Sequence, residues 1–301
     1  MNIGQRRSRK IDILCSLLGY SRQSYYQRKA EEQKEVLEQE LIIQQVLRIR
    51  ARQKNVGARK LLYMLEPFFH SHNIQIGRDA FFELLSVHGL LIRKRKRKIP
   101  RTTFSDHWMR KYPNLIVGMC VSRPNQLWVS DITYIMLEDK PAYLSLVTDA
   151  YSRMIVGYYL NKDLSAQGCI KALDMALRSL SEHASLIHHS DRGCQYCCFE
   201  YVDRLAAYEV AISMTQNSDP RENAIAERVN GIIKQEFLEA RYATLTQAVQ
   251  EVKKAVYIYN YERLHSSVNM LTPVQAHTMN GQLKKHWKNY YAIKEKEVTM
   301  T

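Results

Sequence analysis

The hydrophobic positions in the first third of the chain recur at helical spacing. The apolar residues from Ile11 to Leu18 lie three or four positions apart, and Gly19 follows them as a stop signal. Ser21 is a typical N-cap residue, so a second, short polar helix is expected directly after the glycine. A helix, a tight glycine turn and a short polar helix are typical of the helix-turn-helix motif.

Further helices are predicted before the strongly basic run RKRKRK. The segment EEQKEVLEQELIIQQVLRIRARQ predicts a long amphipathic helix, and GARKLLYML predicts a helix that Pro67 breaks. Another helix is expected from Arg78 to Val87, where Gly89 ends it. Together these segments predict an all-α region. A second helix-turn-helix motif is one interpretation of the last two helices, and an ordinary αα-hairpin is the other.

After about residue 120 the pattern changes from helical spacing to alternation. The segment NQLWVSDITYIML has period two, and AYLSLVTDA and RMIVGYYL predict two more strands. A helix capped by Ser165, a short strand before Asp191 and the strand EVAISMT follow. The segment PRENAIAERVNGIIKQEFL predicts one long helix opened by Pro220. This order predicts an α/β fold with a mixed five-stranded sheet and helices on its faces.

The positive charge is concentrated in the helical part of the chain. The formal net charge is +14, with 25 Lys and Arg against 10 Asp and Glu in residues 1–126, and 19 against 20 in residues 127–301. A basic region beside a near-neutral one is the expected pattern of a polyanion-binding region, although a basic solubilising arm has the same composition. The run Arg93 to Lys98 is interpreted as an exposed linker whose cations contact successive phosphates of a DNA backbone.

Nothing in the sequence predicts export or membrane insertion. The basic N-terminus is followed by a short apolar stretch that Asp12 interrupts, and by no small-residue cleavage site. No run approaches the roughly 18 apolar residues that cross a bilayer. Six cysteines in a chain of 301 residues fit reduced thiols better than a disulfide framework. The expected location is the cytoplasm.

Three carboxylates stand out against the pattern. Asp131 interrupts the apolar alternation of the first strand, and Asp191 directly follows the short fourth strand. Glu227 shares one polar stripe of the last long helix with Asn223, with Asn230 or Gly231, and with Lys234. If the apolar stripe of that helix packs on the sheet edge, Glu227 faces the two aspartates. Each of the three also has a purely structural interpretation. Asp131 is then a bulge or edge residue, Asp191 a turn residue and Glu227 a solvated helix residue.

Three adjacent carboxylates repel one another and raise one another's pKa, and a divalent cation removes that conflict. Ligation by oxygen alone suits Mg²⁺ or Mn²⁺ rather than zinc. Two such ions roughly 3.5–4 Å apart serve phosphodiester chemistry. The cysteine pair Cys194 and Cys197 has the spacing of zinc ligands, but no second such pair exists, so buried thiols are the favoured interpretation.

The motifs WVSDITYI, HSDRGCQY, SMTQNSDPRENAIAERVNGIIKQEF and YNYERLHSSVNMLTP occur in this order. In them the chain resembles the OrfB-type insertion-sequence transposases, whose catalytic core is similar to that of retroviral integrases. Asp191 and Glu227 are separated by 35 residues, the spacing that this family keeps, and Lys234 falls seven residues after Glu227, where the family carries Lys or Arg. The resemblance covers most of residues 10–280.

The resemblance implies an RNase H-like core with Asp131, Asp191 and Glu227 as catalytic residues and as ligands of two Mg²⁺ or Mn²⁺ ions. It implies a DNA transposase that binds transposon ends, cleaves them and joins the 3′-hydroxyl to a target phosphodiester. The expected partners are transposon-end and target DNA and further copies of the chain, and the expected location becomes the nucleoid. A DNA-binding partner encoded in an upstream reading frame is left open.

Further site residues follow from these patterns. The predicted support for the carboxylates comes from His189 and Asn223, whereas the role of His265 is left open. The residues predicted to bind DNA are Lys234, Arg22, Gln23, Arg78, Arg93, Lys94, Arg95, Lys96, Arg97 and Lys98.

The predicted organisation is a helical DNA-binding region over residues 1–105, a catalytic core over 120–285 and a tail over 286–301. Two other function classes remain open from the residues. One is a transcription regulator with an inert core, which would usually have lost a carboxylate. The other is an RNase H-type nuclease, which leaves the basic helical region unexplained.

Overall fold

The computed structural model describes residue 11 and residues 13–92, 107–180, 185–216 and 220–286. The chain divides into two compact units, Met1–Lys94 and Arg95–Thr301. The boundary falls inside the basic run Arg93 to Lys98, which lies outside the described residues together with most of the predicted tail. The predicted end of the DNA-binding region at residue 105 and the predicted limits of the catalytic core at residues 120 and 285 stay predictions.

The first unit is helical, as predicted. Gly19 has φ +72°, the left-handed conformation that ends a helix, and the Ser21 hydroxyl accepts a hydrogen bond of 3.1 Å from the Ser24 N–H. No helix among the described residues of either unit is long and apolar enough to cross a membrane. The helices are α1 (residue 11 and residues 13–17), α2 (Arg22–Arg52), α3 (Ala58–Ser71) and α4 (Arg78–Val87).

Helix α2 differs from the prediction, because one helix of 31 residues replaces the expected short helix and the long one after it. The segment between them, QRKAEEQKEVLEQE, consists almost entirely of strong helix formers and contains neither glycine nor proline. Nothing in it ends the helix. The polar helix after Gly19 is therefore the first part of a much longer element.

The prediction that Pro67 breaks its helix is wrong. Helix α3 continues through Pro67 to Ser71. The buried residues Leu61, Leu65 and Phe69 recur at a spacing of four on both sides of the proline, and all three belong to the core of this unit. Packing of this continuous apolar stripe outweighs the proline's cost of about 3 kcal/mol.

The second unit contains the predicted mixed sheet of five strands. Strand order is β3-β2-β1-β4-β5, in which β1 pairs antiparallel with β2 and parallel with β4. This order and the flanking helices confirm the RNase H-like α/β core. The strands are β1 (Leu127–Met136), β2 (Pro141–Asp149), β3 (Ile155–Asn161), β4 (Ile187–Ser190) and β5 (Ala211–Met214).

Helices lie on both faces of the sheet. The predicted long helix after Pro220 consists of three parts: a 3₁₀ turn (Pro220–Asn223), α8 and a π-helical turn (Ile233–Phe237). Ser165 occupies the predicted N-cap position of α5, but its side chain makes no cap hydrogen bond. The helices are α5 (Ala166–Leu177), α6 (Cys194–Cys197), α7 (Phe199–Ala207), α8 (Ala224–Ile232), α9 (Leu245–Tyr261) and α10 (Pro273–His277).

Strand β3 packs so closely on α5 that only glycine fits at residue 157. A Cβ atom at Gly157 would lie 2.1 Å from the Ala172 carbonyl oxygen and 3.0 Å from the Ala176 Cβ. Gly157→Ala should therefore destabilise the fold by about 3 kcal/mol, measured by urea unfolding, because backbone must move to admit the methyl group. Gly231→Ala is the control, since a Cβ there meets nothing within 4 Å. Equal stability of the two variants would contradict this packing.

Candidate active site

Asp131 lies in the part of β1 that has an open edge. Strand β4 pairs with β1 only from Leu127 to Val129, so no strand among the described residues pairs with β1 on that side at Asp131. One carboxylate oxygen of Asp131 accepts a hydrogen bond of 2.8 Å from the Ile132 N–H, and the other accepts one of 2.9 Å from the Asn230 side-chain amide. The side chain is half-buried.

Asp191 directly follows β4. Because β1 and β4 are adjacent and parallel, the end of β4 places Asp191 near the middle of β1, where Asp131 lies. The Asp191 Oδ1 accepts a hydrogen bond of 3.0 Å from the Gly193 N–H. A Cβ at Gly193 would lie only 3.0 Å from that same oxygen, so the glycine lets this tight turn form.

Glu227 lies in the first turn of α8, and the polar side of this helix faces β1. The Asn223 amide donates a hydrogen bond of 3.0 Å to the Ser130 carbonyl, and Asn230 binds Asp131. Both asparagines are buried, whereas Glu227 is exposed. The helix is therefore held to β1 by hydrogen bonds on the stripe that carries Glu227, and by apolar packing elsewhere.

The three carboxylates share one electrostatic environment. The pKa of Asp131 is raised to about 7, first by burial, then by the negative charge of Asp191 and least by that of Glu227. The hydrogen bonds from Asn230 and Ile132 act in the opposite direction. A bound cation at this position would stabilise the charged form of Asp131.

The donor atoms around Asp131 suit a hard cation. Carboxylate oxygens come from two adjacent strands and from α8. The buried amide oxygens of Asn223 and Asn230 make no hydrogen bond within the described part of the chain. No three His, Cys, Asp or Glu side chains of the described residues already converge as a metal cluster. The residues thus fit Mg²⁺ or Mn²⁺ in kind.

The two predicted supporting residues lie in different environments. Asn223 contacts the backbone of β1 one residue before Asp131. His189 is buried in β4, where its Nδ1 lies 2.9 Å from the Ser213 hydroxyl on β5. Burial lowers the pKa of His189 to about 4, so its imidazole is neutral at pH 7. The structure thus joins Asn223 to the strand of Asp131 and joins His189 to β5.

Lys234 lies in the π-helical turn that follows α8. Its ammonium nitrogen is 3.6 Å from the ring centroid of Tyr134 on β1, and burial lowers its pKa. The cation is therefore held over the same open half of β1 that carries Asp131. Among the described residues, it is the only predicted DNA-binding residue that lies in the same unit as the carboxylates.

The other predicted DNA-binding residues belong to the first unit or to the basic run. Arg22 and Gln23 are exposed in the first turn of α2. Arg78 begins α4 and forms an ion pair of 2.8 Å with Asp79, which reduces the positive charge available at that position. Arg93 to Lys98 lies outside the described residues.

The sequence interpretation missed the ion pair that anchors the π-helical turn. The Arg263 guanidinium donates two hydrogen bonds of 2.7 Å to Glu236 and lies 2.9 Å from the His265 Nε2. Arg263 and His265 are buried, so the motif YNYERLHSS packs and pairs against the segment that carries Lys234. In the sequence, the available signal for this ion pair was Arg263, a charged residue within an aromatic motif. His265, whose role was left open, belongs to this cluster.

The cysteines after Asp191 lie in a packed environment. Cys197 is buried, with its sulfur 3.7 Å from the Met214 sulfur, and Cys194 and Cys198 are half-buried. Burial raises the pKa of Cys197 to about 11, so it stays a thiol at pH 7. These contacts are those of packed thiols.

Two integrase core domain family models match this unit, over residues 121–220 and 208–273. The insertion element IS600 uncharacterized 31 kDa protein of Shigella sonnei is 33% identical over 86% of this chain and 96% of its own length. The HTLV-2 integrase catalytic core domain, solved in complex with magnesium, has 20% identity and a TM-score of 0.40, over 52% of this chain and 97% of that one.

A second relative is the transposase InsF for insertion sequence IS3A of Escherichia coli K12. It is 30% identical to this chain over 90% of the chain and 94% of its own length. Family membership favours a transposase over the transcription regulator and the RNase H-type nuclease. Since the integrase core models match the unit that carries the three carboxylates, the chain belongs to the insertion-sequence transposases with an integrase core domain.

Proposed function

We propose that this transposase cleaves transposon ends and joins them to target DNA at the site of Asp131, Asp191 and Glu227. The observation that carries the proposal is the electrostatic coupling of these carboxylates at the open edge of β1. Their mutual repulsion and their oxygen donors favour Mg²⁺ or Mn²⁺, with two ions per site. Divalent ions bound there would activate the attacking oxygen and stabilise the leaving oxygen.

The chain's own residues position the reacting groups. Asp131 and Asp191 present carboxylates from adjacent strands, and Glu227 presents one from α8. Asn230 orients Asp131 through its side-chain amide, and Asn223 fixes the backbone of β1 beside it. Lys234, held over Tyr134 on β1, is proposed to bind a DNA phosphate.

The proposed reaction has two displacements at phosphorus. A water oxygen attacks the phosphorus at the transposon end, the bond to the 3′ oxygen breaks, and the end leaves with a free 3′-hydroxyl. That hydroxyl then loses its proton, attacks a target phosphorus and displaces the target's own 3′ oxygen. The scheme needs no serine or tyrosine nucleophile and forms no covalent protein–DNA intermediate.

DNA recognition is proposed to come mainly from the basic half of the chain. Arg22 and Gln23 are proposed to read base edges of the transposon end, while Arg78 and the run Arg93 to Lys98 contact phosphates. Because two ends are joined in one event, we propose that several copies of the chain assemble on DNA.

The proposal is tested by metal removal. The purified full-length protein is incubated with a duplex that carries the element's labelled terminal sequence, with Mg²⁺ or with EDTA in excess. We expect a product with a 3′-hydroxyl, and its joining to a second duplex, only with Mg²⁺. Cleavage of equal extent in EDTA would overturn the proposal, because the carboxylates would then have no ion to hold.

Asn230→Ala tests the role of the amide that holds Asp131. Loss of the 2.9 Å hydrogen bond leaves the Asp131 carboxylate with the hydrogen bond from the Ile132 N–H and without one on its second oxygen. Cleavage at low Mg²⁺ should fall by roughly 10- to 100-fold, and the Mg²⁺ concentration for half-maximal activity should rise. Gly231→Ala, on the same helix, serves as the control. An unchanged Mg²⁺ dependence in Asn230→Ala would show that Asp131 needs no orientation by this residue.

A further inference from the structure

Two large aromatic side chains of the second unit are held in solvent beside each other. Trp108 is 80% exposed and Phe199, the first residue of α7, is 71% exposed. Their ring centroids lie 6.3 Å apart, with the ring planes inclined by 51°. Burial of aromatic side chains is favourable, and here two of them stay in water. A contiguous exposed pair therefore indicates a binding surface.

The exposure of Trp108 does not result from a loose loop. Its neighbour His107 donates a hydrogen bond of 2.8 Å from Nε2 to the Arg192 carbonyl. The next residue, Met109, packs against the apolar core between the sheet and α5 to α7. Further along, the Pro113 carbonyl accepts a hydrogen bond of 3.3 Å from Met214 at the edge of β5. The segment is anchored on both sides of Trp108, and the indole is directed outward from it.

The aromatic pair lies next to the candidate active site, and its surroundings suit a polyanion. The residue that His107 binds, Arg192, directly follows Asp191. The Arg192 Nε–H is buried and has no hydrogen-bond partner within the described residues, so an acceptor is missing at this position. Arg110 and Lys111 are exposed on the same segment. Arg192 as a whole is only half-buried, and a guanidinium group binds phosphate oxygens through its other N–H groups.

We propose that Trp108, backed by Phe199, stacks on an unpaired base of the DNA strand held at the carboxylates, and that Arg192 binds a phosphate of that strand. The inference rests on the proposed function and adds a subsite to it. A base offers its flat face only when it is unstacked, as at a strand end or an opened end of a duplex. An exposed indole can stack on such a face whichever base it belongs to. The neighbouring cations attract the phosphates of the strand.

The test is a binding measurement with the full-length protein in EDTA, so that no cleavage occurs. The probes are a duplex with a single-stranded overhang and the same duplex fully paired. Stacking of one base contributes about 1–3 kcal/mol, so Trp108→Ala should weaken binding of the overhang duplex by about 5- to 150-fold. Binding of the fully paired duplex should not change, and Trp108→Phe, which keeps a stacking ring, should retain most of the preference.

Tyr257→Ala is the matched control, because Tyr257 on α9 is 54% exposed and stacks on Tyr261 at 4.8 Å. It should leave both duplexes bound as before. Since the Trp108 side chain is mostly in solvent, Trp108→Ala should keep the melting temperature of the wild type, which establishes that the loss concerns binding.

Three results would overturn the inference. The overhang preference survives in Trp108→Ala, or both duplexes are weakened equally, or the variant changes only the oligomeric state of the DNA-free protein in light scattering. The third result would identify the aromatic pair as a protein-docking surface. Because the assay contains no metal, failure of the stacking site is distinguishable from failure of the proposed chemistry, which the Mg²⁺ and EDTA cleavage assay measures.

Discussion

Asp131→Asn, Asp191→Asn and Glu227→Gln should each abolish cleavage of a labelled transposon end in Mg²⁺. Each substitution keeps the size of the side chain and removes the negative charge that holds the ion. Affinity for the same DNA should stay close to that of the wild type, because these carboxylates are proposed to contact metal rather than phosphate. Cleavage assays and filter binding on one set of protein preparations measure both quantities.

A stability measurement separates lost chemistry from lost folding. The folded-state pKa of Asp131, about 7, lies above the ordinary value of 3.8 for an aspartate. The folded protein therefore keeps a proton that the unfolded chain has released, and stability declines as the pH rises from about 4 to 7. Asp131→Asn has no such penalty. In EDTA its melting temperature should exceed that of the wild type by an amount that grows up to about pH 7 and then levels off.

Full cleavage by any one of these three variants in Mg²⁺ would contradict the assignment of that residue. A melting temperature for Asp131→Asn that falls below the wild type in EDTA would show instead that the carboxylate is needed for folding. The hydrogen bonds from Ile132 and Asn230 would then outweigh the repulsion by Asp191 and Glu227.

Replacing the six cations of Arg93 to Lys98 by glutamine should weaken binding to all DNA sequences alike. Each Lys or Arg that neutralises a phosphate releases condensed counterions, so log affinity falls with log salt at a slope of about −0.9 per contact. If all six residues contact phosphates, the slope should become flatter by about 5. The measurement is a salt titration of binding to the transposon end and to a random duplex.

Arg22→Ala and Gln23→Ala are the comparison variants, since these side chains are proposed to read bases. Each should reduce the preference for the transposon end by roughly 1–3 kcal/mol per lost base contact and leave the slope for random duplex nearly unchanged. A salt slope that the glutamine variant leaves unaltered would show that the run is only a solvated linker. A loss of sequence preference in that variant would show that the run also reads bases.

Sequence patterns alone were sufficient where structure depends on neighbours along the chain. The alternation in NQLWVSDITYIML predicted β1, because a half-buried strand places successive side chains on opposite faces. Glycines at positions 19 and 89 predicted helix ends, and both have positive φ. The failures also have local causes. Helix α2 continues because no residue in it ends a helix, and α3 passes Pro67 because its buried stripe continues beyond it.

The identities of the candidate site residues were also available from sequence, as three carboxylates with a fixed spacing and a resemblance that assigned them. Their mutual repulsion was predicted as well, but the contacts that bring them together were not. The carboxylates meet because β1 pairs parallel with β4 and because α8 binds β1 through Asn230, which is 99 residues from Asp131 in the chain. The polar stripe of the helix contained Asn223, Glu227 and either Asn230 or Gly231, but the stripe itself does not show which side chain is buried against Asp131.

The chain's order of residues therefore predicted its family, most of its elements and the residues of its candidate site. The tertiary structure alone decided which polar groups meet. It joined His107 to the residue after Asp191 across 85 positions, and thereby placed an exposed tryptophan beside the carboxylates. The physical reason is that periodicity and capping act over a few residues. Contacts between distant segments depend on strand pairing and packing. Many residues contribute to the free energy of these interactions, so no single residue in the sequence identifies such a contact.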